Sequence, residues 1–199
     1  MANYIFLPVV SAEMTGMATT VAAFLNNARI LKNVHVSGWK KGYERHFGTG
    51  CLAGVRDNDS LFVLIHGAGY AGSKQIGAKR DTDGNLKAYD APNLARVLDQ
   101  EGLGHTFRDL HMFTCGSGLM NKNAIANGLQ VRDPKLNPKY QAHESIARQM
   151  SNEMKKKGFS VIRVTGYLGD IVVHPPDRVT IEDSVSGQEF GLDWKVVCA

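Results

Sequence analysis

Leu61-Phe62-Val63-Leu64-Ile65-His66-Gly67 decides how this chain folds. Five consecutive apolar residues follow the turn-forming Asp57-Asn58-Asp59-Ser60. An unbroken run of this length reads as a strand buried on both faces, the kind found in parallel sheets covered by helices. The run stops at a histidine and a glycine. A second run, Leu110-His111-Met112-Phe113-Thr114, stops at Cys115-Gly116-Ser117. The two stops lie 49 residues apart (115 − 66), histidine first.

Between them, Asp90-Ala91-Pro92-Asn93 opens a helix, with Asp90 as cap and Pro92 in the first turn. Leu94, Val97, Leu98 and Leu103 supply its inner face. The intervening Gly67 to Lys87 is polar and glycine-rich and reads as a long loop. Before the first run, Tyr4 to Val10 reads as a strand. Met17 to Leu31 reads as a helix on the spacing of Met17, Val21, Phe24, Leu25 and Ala28, with Thr15 as cap. Val34-His35-Val36 reads as a short strand, and Gly38 to Gly54 as a loop or edge hairpin.

Past Cys115, Asn121 to Pro138 reads as another polar loop. Tyr140 to Lys157 is an amphipathic helix through Ile146, Ala147, Met150 and Met154, closed by Lys155-Lys156-Lys157-Gly158. Ser160 to Val164 follows as a strand. After Pro175-Pro176, Val179 to Ile181 and Phe190 to Val197 flank Ser184-Val185-Ser186-Gly187 and read as a C-terminal β-hairpin. Alternation of strands and helices predicts an α/β fold: a mostly parallel central sheet with helices on both faces, plus that hairpin. The length, 199 residues, fits one domain, 1–199, with a real core. Glycine is abundant, 21 residues, and many end apolar runs, as tight turns at strand ends require.

The net charge of +4 permits an anionic partner but does not demand nucleic acid, and the aromatic residues are not interleaved with Lys and Arg in a stacking pattern. Three cysteines without CxxC spacing make neither a disulfide framework nor a zinc site, and suit a reducing compartment. No metal and no cofactor is expected. The N-terminus lacks a basic region, and its apolar run is broken by Pro8, so no signal peptide is expected. No apolar run is long enough for a membrane span.

In a parallel sheet, ligands bind at the carboxyl ends of strands, where His66 and Cys115 both fall. A thiol needs a base and an oxyanion site to cleave an acyl bond. His66 supplies the base; the glycine after each residue lets backbone N–H groups approach an oxyanion. Each has an ordinary reading too, as a packed cysteine and a hydrogen-bonded histidine. Three other readings share the region. Gly67-Ala68-Gly69-Tyr70-Ala71-Gly72 satisfies G-x-G-x-x-G after a strand, as a nucleotide-binding or non-catalytic interaction domain would; the following residues lack helical periodicity. Ser117 lacks the full nucleophile elbow, since Cys115 takes the first glycine position. His105 and His111 have no metal-type partners, and His111 is expected to face solvent or a polar contact. Cys51 and Cys198 read as incidental, Trp39 and Trp194 as packing residues.

The order strand–His-Gly–helix–strand–Cys resembles the caspase-like (clan CD) cysteine peptidases, whose histidine lies about 50 residues upstream of the cysteine in caspases. Residues 61–67, the Leu94-Ala95-Arg96-Val97-Leu98 helix and residues 110–117 look closest to the autoprocessing cysteine protease domains of bacterial toxins. The resemblance spans roughly residues 60 to 170. It implies Cys115 as nucleophile, His66 as base or proton donor, and the N–H groups of Gly67 and Cys115 as the oxyanion hole, with no third member required. It implies a protein or peptide substrate, and an effector acting in the cytoplasm or in a target cell. Caspases carry Gln-Ala before the cysteine and Arg-Gly after it; here Phe113-Thr114 and Gly116-Ser117 stand there, so cleavage after Asp does not carry over. The toxin domains take an anionic activator, inositol hexakisphosphate. Lys40, Lys41, Lys74, Lys79, Arg80 and Lys155 to Lys157 are candidates for such a ligand, although the C-terminal region is poor in basic residues. A substrate is expected to add to the sheet edge along Thr165, Gly166 and Tyr167, with Asp170 facing a basic P1 side chain.

Overall fold

The computed structural model describes residues 1–33, 38–40, 43–45, 49–67, 75–79, 84, 86–119, 145–183 and 186–199. The apolar run before His66 lies in β5 (Ser60–Leu64), buried at every position. Its neighbours are β1 (Asn3–Leu7) on one side and β8 (Asp109–Phe113) on the other, both parallel to it. β2 (Arg29–Lys32) extends the sheet beyond β1, and β9 (Arg163–Tyr167) extends it beyond β8, again in parallel. β13 (Lys195–Cys198) closes the far edge, antiparallel to β9. The order is β13-β9-β8-β5-β1-β2, a mostly parallel six-stranded sheet. The chain is therefore α/β.

Among the described residues three helices cover it. α1 (Ala12–Phe24) is capped by the Ser11 hydroxyl, which accepts from the Met14 N–H at 3.1 Å. It starts five residues before the expected Met17, because Ser11, not Thr15, is the cap. It also ends early. Asn26 and Asn27 take the left-handed conformation at φ 58° and 61°, which asparagine tolerates better than most residues. The chain turns there, and Arg29 to Lys32 become β2 instead of a last helical turn. α2 (Ala91–Gln100) starts at Asp90, whose carboxylate accepts from the Asn93 N–H at 2.9 Å, with Pro92 in the first turn as expected. α3 (Ile146–Lys156) is capped by Ser145 and buries Ile146, Ala147, Met150 and Met154. The expected residues 140–144 of that helix lie outside the described residues, as do Val34-His35-Val36 and Asn121 to Pro138.

From β5 the chain steps one way, through β8 to β9; from β1 it steps the other way, to β2. Right-handed crossovers then place α1 on one face and α2 and α3 together on the other. α2 and α3 pack against each other, and α3 against β9 and β13. The reversal of direction between β1 and β5 is a topological switch point, where open α/β sheets form their ligand crevice.

Two expectations are corrected. The long loop after Gly67 contains an antiparallel pair, β6 (Ile76–Lys79) and β7 (Leu86–Tyr89). Each strand has four residues and little alternation, too weak a pattern to read in sequence. Between residues 38 and 45, β3 (Gly38–Lys40) and β4 (Tyr43–Arg45) make the edge hairpin that was one of the two expected forms. The second correction is at the C-terminus. β10 (Asp170–His174) pairs along its whole length with β11 (Arg178–Glu182), which then pairs briefly with β12 (Glu189–Phe190). Lys195 to Cys198 do not fold back on β11; they join the central sheet as β13. The strand β9 also runs three residues later than expected, since Ser160 to Ile162 form a turn after α3. No helix among the described residues is long and apolar enough to cross a membrane.

Candidate functional site

The spacing of 49 is the register of two paired strands. Ser60 stands opposite Asp109 and Leu64 opposite Phe113, each pair separated by the same 49 positions. His66 and Cys115 are the next pair but one along that ladder, just past the carboxyl ends of β5 and β8. Their backbones touch. A methyl on Gly67 would overlap the Cys115 carbonyl oxygen and lie 2.9 Å from Thr114 Oγ1. Only a glycine lets the two strand ends approach this closely.

That approach brings the Gly67 N–H toward the Cys115 sulfur, where it works to lower the thiol's pKa. The Ile171 N–H donates to the same sulfur at 3.4 Å. The Cys115 N–H has no partner among the described residues. Of the two backbone donors expected at an oxyanion, the Gly67 N–H lies toward the thiol. Burial pushes the Cys115 thiol above its ordinary range; the Ile171 and Gly67 N–H groups oppose this, and the Asp170 carboxylate adds to it.

The turn that carries Cys115 is anchored to the adjoining strands. Gly116, at φ 63°, donates its N–H to the Gly169 carbonyl at 2.8 Å, and Gly118 donates to the Tyr167 carbonyl at 2.8 Å. Ser117 is fully buried: its hydroxyl donates to the Met112 carbonyl at 2.7 Å and accepts from the Tyr167 N–H at 2.8 Å. A nucleophilic role for Ser117 is excluded by this double use of its oxygen.

His66 is placed by two neighbours. Its carbonyl accepts from the Gly77 N–H at 2.9 Å, which ties β6 to the end of β5. Its Nε2 lies 3.0 Å from Glu13 Oε1, in the first turn of α1. Glu13 was not among the residues singled out in the sequence. The signal was there, because a helix following β1 must begin at the same sheet edge as His66; placing its start at Met17 hid Glu13.

Of the expected substrate-binding residues, only Asp170 comes to the site. It precedes Ile171, whose N–H meets the sulfur, and burial raises the Asp170 pKa, with the charge of Glu182 acting in the same direction. Thr165, Gly166 and Tyr167 are corrected. β9 is hydrogen-bonded to β8 on one side and to β13 on the other, so it offers no free edge for a substrate strand. Thr165 and Tyr167 are buried, and the Tyr167 hydroxyl meets His111 Nδ1 at 3.0 Å. Gly166 allows close packing: a methyl there would lie 2.7 Å from the Ala147 Cβ.

His111 makes the polar contact expected of it but is buried away from solvent, stacked on Phe62 at 4.2 Å and bonded to Asp109 at 3.2 Å. Cys198 is buried, and burial beside the Glu101 carboxylate pushes the Cys51 thiol up to about 12. Trp194 packs on Phe190 at 4.1 Å. Among the described residues no group of three His, Cys, Asp or Glu side chains is arranged to hold a metal ion. Residues 68–72 of the glycine-rich motif lie outside the described residues; the chain reappears leading into the strand β6, not the helix a dinucleotide fold requires. Of the basic candidates for an anionic activator, Lys41, Lys74 and Arg80 lie outside the described residues, as do the side chains of Lys40 and Lys79. Lys155 to Lys157 close α3 at the opposite edge of the sheet from Cys115, where Lys156 pairs with Glu153 and Lys157 with Asp99.

Comparison of the chain with protein-family models and with curated proteins finds no match.

Proposed function

We propose that this chain is a cysteine endopeptidase of the caspase-like type, with Cys115 as nucleophile and His66 as its proton-transfer partner. The observation that carries the reading is the contact of the two strand ends, which sets a half-buried thiol by the Gly67 N–H, with a Cys115 N–H that has no partner among the described residues. The order of the pieces along the chain, histidine-glycine, helix, then cysteine, supports the family assignment and with it an autoprocessing or effector protease.

The chemistry follows from these groups. The thiol proton passes to His66, and Cys115 Sγ attacks the scissile carbonyl. The carbonyl oxygen gains negative charge, which the two backbone N–H groups stabilise as donors. His66, now protonated, gives its proton to the leaving amine. Water then attacks the thioester by the same route in reverse, and the acid product leaves. Glu13 keeps the imidazole in place through Nε2 and leaves Nδ1 for the proton. Asp170, beside the sulfur, suits a substrate with Lys or Arg on the acyl side of the scissile bond.

A peptide-derived acyloxymethyl ketone tests the reading. It should label Cys115 and leave Cys51 and Cys198 unlabelled, and His66→Ala should slow the labelling. Equal labelling of all three thiols counts against the peptidase.

A further inference from the structure

Asp170 begins β10 and Glu182 ends β11, and the two are paired across the ladder. The bond from the Ile171 N–H to Cys115 Sγ, at 3.4 Å, fixes the start of β10 against the thiol and so sets Asp170 beside it, where the carboxylate acts on the sulfur electrostatically. Among the described residues neither Asp170 nor Glu182 has a salt-bridge partner. Among the described residues, the nucleophile and these two carboxylates are therefore grouped without a cation paired to either carboxylate. The other titratable group at this edge, His66 from the end of β5, has its Nε2 engaged by Glu13.

A carboxylate beside a thiol favours the protonated sulfur, because thiolate formation would set two negative charges side by side. Neutralising the carboxylate removes that penalty. Resting on the peptidase reading above, we propose that Asp170 gates the nucleophile: it holds Cys115 as the thiol until a cationic substrate side chain, Lys or Arg at P1, pairs with the carboxylate and releases the thiolate. The S–H bond breaks and its proton goes to His66. The freed electron pair forms the carbon–sulfur bond, and His66 returns the proton to the leaving amine. Selection of the substrate and activation of the nucleophile use one side chain. A neutral P1 residue leaves the gate shut even where it fits.

Iodoacetamide tests the gate without requiring any peptide bond to be cleaved. Alkylation of Cys115 is followed across pH by peptide mapping in the full-length chain. Asp170→Asn should move the midpoint of the profile down by about one pH unit, roughly tenfold faster alkylation at a fixed pH below it. Asp170→Glu, which keeps the charge, should stay near the wild-type profile. Methylguanidine should speed alkylation several-fold in the wild type and not in Asp170→Asn. Glu182→Gln, away from the sulfur, should give a smaller shift of the same sign, and carries the test if Asp170→Asn does not fold. An unchanged or raised midpoint, or an equal methylguanidine effect in both proteins, overturns the gate. If the gate holds and no peptide is cleaved, it is the peptidase reading that fails.

Discussion

His66 Nε2 lies 3.0 Å from Glu13 Oε1, so the first turn of α1 fixes the orientation of a ring that sits at the end of β5. The contact crosses the switch point of the sheet and joins the two strands, β1 and β5, from which the chain departs in opposite directions. An imidazole with one nitrogen engaged presents the other in a defined direction, which is what proton transfer at Cys115 needs.

Glu13 is accordingly a positioning residue. Glu13→Ala should lower kcat/KM for peptide hydrolysis about ten- to hundredfold, and Glu13→Gln less, since the amide still reaches Nε2. His66→Ala should cost more, about 10²–10⁴-fold, the usual worth of a proton-transfer group. Glu13 is exposed, so the urea midpoint of its variants should stay at the wild-type value.

Gly67 is irreplaceable for a steric reason. In Gly67→Ala the methyl group meets the Cys115 carbonyl, and the ends of β5 and β8 must part. The expected stability loss is about 1–3 kcal/mol, as for other overpacked sites. Peptide hydrolysis should fall below detection, because the displaced N–H no longer faces the sulfur. Paired urea and rate measurements check both.

Much of this site was legible in the sequence because it is built from strand register. Once Leu61–Ile65 and Leu110–Thr114 are taken as neighbouring parallel strands, His66 and Cys115 fall opposite each other just past the paired residues. The errors lie where short-range pattern is weak or tertiary pairing decides. Ile76–Lys79 and Leu86–Tyr89 carry too few apolar residues to announce a hairpin. Lys195–Cys198 alternates as well for β9 as for β11, and only the assembled sheet selects between them. That choice removed the free edge on which Thr165, Gly166 and Tyr167 had been expected to bind substrate.

Ser117 separates structural from chemical roles in the Cys115 turn. Ser117→Ala leaves the Tyr167 N–H buried without its acceptor, a cost of about 1–3 kcal/mol. Hydrolysis per folded molecule should be unchanged, a result that a serine nucleophile could not give.

Asp109 makes the stability pH-dependent. Hydrogen bonds from His111 and Ser60 hold its carboxyl down at about 2, against an ordinary value of 3.8, despite partial burial. A depressed carboxyl stabilises the fold above the unfolded value, and the benefit is lost as pH falls from about 4 toward 2. With solvent screening of its part-exposed side chain, that contribution is about 1–2 kcal/mol. Asp109→Asn should be destabilised by this amount at pH 7, and the gap to wild type should narrow by pH 3, as urea titrations at the two values would report.

The central claim is that Cys115 cleaves peptide bonds, and product formation tests it most directly. A mixture of unstructured peptides presenting every residue at P1 is incubated with the wild type and with Cys115→Ser, and the fragments are identified by mass spectrometry. The account predicts cleavage by the wild type after Lys or Arg and none by Cys115→Ser. Intact peptides with the wild-type protein, or the same fragments with Cys115→Ser, would contradict it.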